Sequence, residues 1–453
     1  MLEESVLEPK SAAADPAKPA HPRRGNRFSP PDLASLSDTG LPNSLIEQLI
    51  LKFLYFKGDL RGGDLSRSMG LRFSLIDPLV ESFKVQQLVQ VKSSLGFGPI
   101  SAVLSLTEAG RRVARDYLDT NHYIGPAPVP IDQYTRAVQG QRFPPKWLTP
   151  ERLAKAYSHL ITTEKMLNQI GPALSSGKSL LLYGQPGNGK TQMAEALARV
   201  ETSEIYVPHA LECQGNIIQL FDPVYHQPVQ SDTETADGNY DLPSDNRWVR
   251  CKRPFISTGG ELDMSMLDLS CNTTSNIYDA PFHLKANNGI YLIDDFGRQK
   301  ATPGEILNRW IYAMERRIDF LSFMNGGKIT VPFETFLVFS TNLTPEKLGD
   351  EAFLRRIQYK VLLPSPNEFE FARIFRDYCQ KQGLDVSDKL ISDFIEKEYG
   401  STGRKFRRCH PRDVISQAID YIHFNRLPYQ LTAELLNEAF ASCFISASEL
   451  SDS

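Results

Sequence analysis

Residues Ser179 to Thr191 read SLLLYGQPGNGKT, and no other stretch restricts the possible folds as much. A short apolar run, Leu180-Leu181-Leu182-Tyr183, breaks at Gly184-Gln185-Pro186-Gly187-Asn188-Gly189-Lys190-Thr191. It is followed by Gln192-Met193-Ala194-Glu195-Ala196-Leu197-Ala198-Arg199, rich in strong helix formers. Strand, glycine-rich loop and helix in that order fit G-x-x-x-x-G-K-[ST]. In that pattern the glycines let backbone N–H groups wrap a phosphate chain, the lysine reaches the terminal phosphates and the hydroxyl binds Mg²⁺.

A chain of 453 residues has room for two to four domains, and 41% hydrophobic residues supply ordinary cores. The net charge of -4 gives no global pull towards nucleic acid or a membrane surface. Six cysteines, Cys213, Cys251, Cys271, Cys379, Cys409 and Cys443, lie far apart without a C-x-x-C pair, which argues against a zinc ribbon or a disulfide framework. None of the eight histidines pairs at metal spacing. The opening MLEESVLEPK has acids where a signal peptide carries basic residues, and no run of roughly 18 apolar residues occurs. The expectation is a cytoplasmic protein that does not insert into membranes.

Residues 1–40 are rich in Pro and Ala and nearly free of aromatics, the composition of a disordered tail. Over 41–120 the pattern changes. Leu45, Ile46, Leu49, Ile50, Phe53 and Leu54 fall at helical spacing, and helices are expected over 64–69 and 74–87 as well. Two β-type runs, Leu88 to Lys92 and Ser101 to Leu106, then lead to a helix capped by Thr107. Three helices, a hairpin and a closing helix look like an α+β winged-helix module. A winged helix would bind DNA through basic side chains, yet 41–120 holds ten Lys/Arg against eight Asp/Glu, and the third helix carries Asp77 and Glu81 against Lys84. Protein docking is favoured over nucleic acid. Six prolines over 121–150 predict a semi-stiff linker.

Beyond the glycine-rich loop, Ile290-Tyr291-Leu292-Ile293 ends in Asp294-Asp295, a buried strand delivering acids to the carboxyl edge of a sheet. Asp294 would hold Mg²⁺ together with Thr191, and Asp295 would polarise an attacking water, a role worth about 10² to 10⁴ in rate. Phe336 to Thr341 is a third strand, ending at Asn342, whose amide could orient that water. Downstream stand Arg355-Arg356 and, later, Cys409-His410-Pro411-Arg412. Four helical stretches follow Pro364.

In this order the motifs resemble those of AAA+ ATPases, from about Pro150 to Ile445. Gly184 to Thr191 matches Walker A, Ile290 to Asp295 matches Walker B and Asn342 matches sensor 1. Arg355 and Arg356 match the arginine fingers, and Arg412 matches sensor 2. Asp350 to Pro364 is similar to the finger region of the katanin and spastin type, and Lys328 to Asn342 to MoxR-type proteins. With Arg247 to Arg250 and Gly259 to Leu262, the whole resembles a bacterial group of AAA+ ATPases linked to Flp pilus assembly. The resemblance implies a P-loop parallel-sheet domain over 151–363, a helical lid over 364–446 and a tail over 447–453. It also implies ATP and Mg²⁺ as cofactors, a homo-oligomeric ring such as a hexamer, and a client protein.

The family usually has Glu where this chain has Asp295, one methylene shorter, which implies slow turnover. The segment from Glu201 to Asn288 is expected as a surface insertion or as a contact facing a ring pore. The expected function is an ATPase that remodels or assembles protein complexes. The alternatives are an ATP-dependent DNA-binding regulator and a nucleotide-gated scaffold with little turnover.

Overall fold

Leu180–Tyr183, Ile290–Ile293 and Phe336–Thr341 are almost continuously apolar, so both of their faces need cover. In the computed structural model, which describes residues 28–94, 96, 98–143, 147–229, 245–349, 354–400 and 403–444, they lie side by side in an all-parallel sheet. The spatial order is Phe255–Thr258, Ile290–Ile293, Phe336–Thr341, Leu180–Tyr183, Tyr359–Leu362.

Alternation along each strand splits its side chains between two cores. Leu180, Leu182, Leu292 and Val338 pack under helices Pro150–Ala156, Glu164–Ser176 and Lys190–Leu197. Leu181, Tyr291, Ile293 and Phe339 pack on the other face against Ile306, Leu307 and Trp310 of helix Pro303–Arg316. The result is a three-layer α/β domain. The strand before the glycine-rich loop has the later strands Phe336–Thr341 and Tyr359–Leu362 on its two sides. Strand order therefore reverses there, and in open parallel sheets ligands bind beyond the carboxyl ends at such a point.

The expected insertion contributes more than surface. Phe255–Thr258 is an edge strand of the central sheet, paired in register with Ile290–Ile293. The rest builds a five-stranded sheet of Ser270–Asn272, Ile277–Asp279, Asn216–Gln219, Ala210–Cys213 and Val129–Pro130, beside the pair Glu204–Pro208 and Trp248–Lys252. Residues 230–244 of the insertion lie outside the described residues.

Val129–Pro130 corrects the linker expectation. Val129 and Pro130 pair with Leu211 and Glu212 and lead into helix Ile131–Gly140, whose Tyr134, Ala137 and Val138 are buried in the core of the insertion. The prolines do not stiffen an open strand. Pro130 caps that helix and Pro150 opens the next, where a missing N–H costs nothing.

The tail expectation is corrected in part. Residues 1–27 and 447–453 lie outside the described residues, but Phe28, Leu33 and Leu36 pack onto cores of the folded chain. The Phe28 ring lies 5.1 Å from that of Trp248, and Thr39 is buried after the short helix Leu36–Thr39. Arg247 holds this junction. Fully buried, it donates to Asp245 Oδ1 and Oδ2 at 2.8 and 2.7 Å, to Thr39 O at 3.0 Å and to Pro128 O at 3.3 Å.

The N-terminal segment forms helices Asn43–Lys57, Gly62–Met69, Phe73–Val85 and Glu108–Thr120 around a three-stranded antiparallel sheet of Leu60–Arg61, Ala102–Leu106 and Val89–Ser94. Thr107 caps the last helix through Gly110 N. At the other end, helices Glu368–Lys381, Asp388–Ile395, His410–Asn425 and Ala433–Cys443 enclose a separate core around Phe371, Phe375 and Phe394.

Candidate functional site

The site stands at the carboxyl edge of the central sheet, where Tyr183 ends its strand. Two of the loop glycines are required by close approach. A Cβ on Gly184 would sit 2.4 Å from Leu363 O, and one on Gly187, whose φ is +77°, would sit 2.4 Å from Cys409 Sγ. Gln185 and Pro186 make the turn between them. Asn188 is wholly buried and donates to Leu363 O at 3.3 Å, tying the loop to the chain leaving the edge strand. Gly189 caps helix Lys190–Leu197, so the loop hands over to a helix N-terminus with free N–H groups.

Lys190 is 6% exposed, and its ammonium donates to Gly184 O and Gln185 O at 3.1 Å and to Asn342 Oδ1 at 2.6 Å. Burial holds its pKa below the ordinary lysine value; the Asp295 and Asp294 carboxylates act against that shift. An ammonium desolvated among neutral acceptors gains from a nearby anion. Thr191 Oγ1 donates to Asp294 Oδ2 at 2.7 Å. Asn342 Nδ2 donates to Asp295 Oδ1 at 2.8 Å, so one amide spans the lysine and the second acid. Asp295 adopts φ +48°, a left-handed conformation that Asp tolerates better than most residues. It turns the chain so that the two adjacent carboxylates serve different partners.

The hydroxyl of Thr191 and the carboxylate of Asp294 are hard oxygen donors on adjacent elements. They suit Mg²⁺, which takes one or two protein oxygens and completes its shell with phosphate and water. Among the described residues no group of three or more His, Cys, Asp or Glu could hold a metal alone.

The arginines separate into three places. Arg412 does not reach the loop: its guanidinium donates to Asp413 Oδ1 at 2.7 and 2.9 Å and stays exposed on the helix His410–Asn425. Arg407 takes that position, donating to Ser365 Oγ at 2.6 Å and to Gln185 Oε1 at 3.4 Å. The Cys409 N–H donates to Gly187 O at 2.9 Å beside it, so the lid touches the loop through backbone and side chain together. Sequence reasoning missed Arg407. Its only signal is a place two residues before Cys409, and Arg408 beside it turns away to Ile161 O and Glu370. Arg355 and Arg356 lie far from their own loop, in a turn preceding Tyr359–Leu362 at the amino edge of the sheet.

Comparison with known proteins gives partial likenesses. The family described as a domain of unknown function (DUF8689) matches residues 367–442, the four C-terminal helices. A protein of Methanocaldococcus jannaschii named as a 26S proteasome regulatory subunit homolog is 25% identical over 57% of this chain and 56% of its own length. The chain thus spans about half the length of that curated relative. Among solved structures, Thermotoga maritima RuvB, titled a Holliday junction branch migration motor, overlaps 65% of this chain and 74% of its own at 15% identity and a TM-score of 0.37. Brucella abortus NtrX overlaps 76% of this chain and 65% of its own at 13% identity and a TM-score of 0.39. Overlaps this loose leave the functional reading to the site itself.

Proposed function

We propose that this chain is an AAA+ ATPase that binds ATP with Mg²⁺ at the glycine-rich loop, hydrolyses it, and works as a homo-oligomeric ring to remodel or assemble other proteins. The carrying observation is the hydrogen-bonded set Lys190–Asn342–Asp295 with Thr191–Asp294, gathered from three strand ends at one sheet edge. Gly184 to Gly189 and the N-terminal N–H groups of helix Lys190–Leu197 would bind the phosphates, and Lys190 would neutralise the terminal one. Thr191 and Asp294 would hold Mg²⁺, which when bound supplies charge neutralisation on the transferring phosphoryl group. Asp295 accepts a proton from water, with Asn342 fixing its carboxylate. Arg407 couples the lid to this edge, and Arg355 and Arg356 face a second copy.

The N-terminal segment is read as a winged-helix module that docks protein. Of its ten Lys/Arg, Arg67, Lys84 and Lys92 pair with Asp64, Glu81 and Asp59, and Arg72 with Asp32, and the helix Phe73–Val85 offers phosphate no cation besides the paired Lys84. The outer face of helix Phe73–Val85 shows Ser74, Pro78, Glu81, Ser82 and Val85. No helix among the described residues is long and apolar enough to cross a membrane.

Steady-state hydrolysis of Mg²⁺-ATP by the full chain tests the reading. Wild type should turn over, and Asp295→Asn should lose about 10² or more in rate while keeping nucleotide affinity. Binding without turnover in wild type would return the chain to the scaffold reading.

A further inference from the structure

Four cations converge on the sheet edge opposite the glycine-rich loop. Ser179, Thr335 and Gln358 each precede a strand of the parallel sheet, and all three line one cleft of about 430 Å³. Lys178 enters it from the turn before Leu180–Tyr183, Arg317 from the end of helix Pro303–Arg316, and Arg355 and Arg356 from the turn before Tyr359–Leu362. Glu315 is the one acid among the described residues that line it. Arg317, at φ +60°, is fixed at the wall by donating to Gly177 O at 2.5 Å. Thr335 in the same wall is 2% exposed, and its Oγ1 has no partner among the described residues.

Cations gathered from three elements repel one another and focus a positive field in the cleft, which favours an anionic ligand. Guanidinium forks match phosphate oxygens bidentately, so three arginines point to phosphate more than to a single carboxylate. The volume lies in the range of small-molecule sites, roughly 300 to 1,000 Å³, and exceeds what one phosphate would fill. We propose that this cleft binds a polyphosphate chain, with Lys178 and Arg317 joining Arg355 and Arg356 as its ligands. Two sources share that chemistry: free polyphosphate, and the triphosphate of a nucleotide held by a second copy. The second source rests on the function proposed above; the first does not.

The test uses the full chain. Lys190→Ala disables the glycine-rich loop, and calorimetric titration of that variant with tripolyphosphate reads the cleft alone. Adding Lys178→Glu, an exposed position, or Arg355→Glu should weaken that binding about tenfold or more. In the second arm, Lys178→Ala in an otherwise wild-type chain should keep ATP affinity but lose about tenfold in turnover. Mixing it with Lys190→Ala subunits should restore part of that loss, which a merely structural defect would not allow. Success in either arm supports the cleft and tells its source. No tripolyphosphate binding together with full turnover in Lys178→Ala overturns it. A wild type that binds no ATP would defeat the proposed function instead and leave the tripolyphosphate arm to decide.

Discussion

At the carboxyl edge of the central sheet the charged groups already hold one another: Lys190 rests on Asn342, Thr191 on Asp294, and Asp295 on Asn342. At the amino edge, Lys178, Arg317, Arg355 and Arg356 share a cleft in which Glu315 is the one acid among the described residues. Both edges belong to the same strands, some five residues apart. The first is a preorganised site whose partners all come from this chain, as catalysis in a fixed geometry requires. The second has charge without a matching set of acids, so its partner must be brought to it. On the proposed reading, the arginines at the amino edge would serve the nucleotide of a second copy, whose lysine edge they would complete.

The largest effect should come from breaking the amino edge. Arg355→Ala or Arg356→Ala is expected to lower turnover by about 10³ to 10⁵ with ATP affinity unchanged, the range for an arginine finger. A solvated surface arginine contributes less than about 1 kcal/mol. Full turnover in both variants, measured over a range of protein concentrations, would erase the functional difference between the edges.

Acid should loosen the lid that leans on the carboxyl edge. His410 opens the helix that carries the lid onto the loop; burial pushes its pKa down to about 4 from 6.5, and its Nδ1 and the Tyr399 hydroxyl are hydrogen-bonded at 2.9 Å. The unfolded chain takes up a proton below 6.5 that the folded lid refuses until about 4, so stability falls as pH drops through that window. At about 1.4 kcal/mol per pH unit the loss reaches roughly 3 kcal/mol. Urea unfolding at pH 7 and pH 4.5 should show it, and a His410→Gln chain should have a shallower pH dependence, what is left coming in part from His159, His209 and His226, whose pKa values burial also lowers. An equal slope in that variant would assign the effect to other groups.

Asn342→Ala removes the bridge between lysine and acid and is expected to cost about 10² in turnover, with less effect on ATP binding. Stopped-flow measurement of the chemical step checks this. The smallest contrast lies within the lid. Arg407→Ala should weaken ATP binding about tenfold, the scale of one charge-assisted hydrogen bond, while Arg412→Ala should change it less than about threefold. Fluorescent nucleotide titration of the two variants decides which arginine serves the loop.

What could be read in the sequence was local. The loop is a strand, a turn and a helix in thirteen consecutive residues, and Asp294 and Asn342 end apolar runs, so their shared edge follows from parallel pairing alone. The missed features depend on distant contacts. Phe255–Thr258 has one wholly apolar pair and becomes a strand through its register with Ile290–Ile293. Residues 129–140 fold because Val129 finds Leu211 some eighty residues on, while the prolines around them pointed to an open chain. The choice among Arg407, Arg408 and Arg412 is made by the Cys409 N–H bond to Gly187 O, a contact that no spacing records.

The central claim is that the carboxyl edge is a nucleotide site built on Lys190. Isothermal titration of wild type and Lys190→Ala with ATP and Mg²⁺ tests it most directly. Wild type should bind one ATP per chain, and Lys190→Ala should bind it at least about tenfold to a hundredfold more weakly, the loss of a charge-assisted phosphate contact. Equal affinity in the two chains would contradict it.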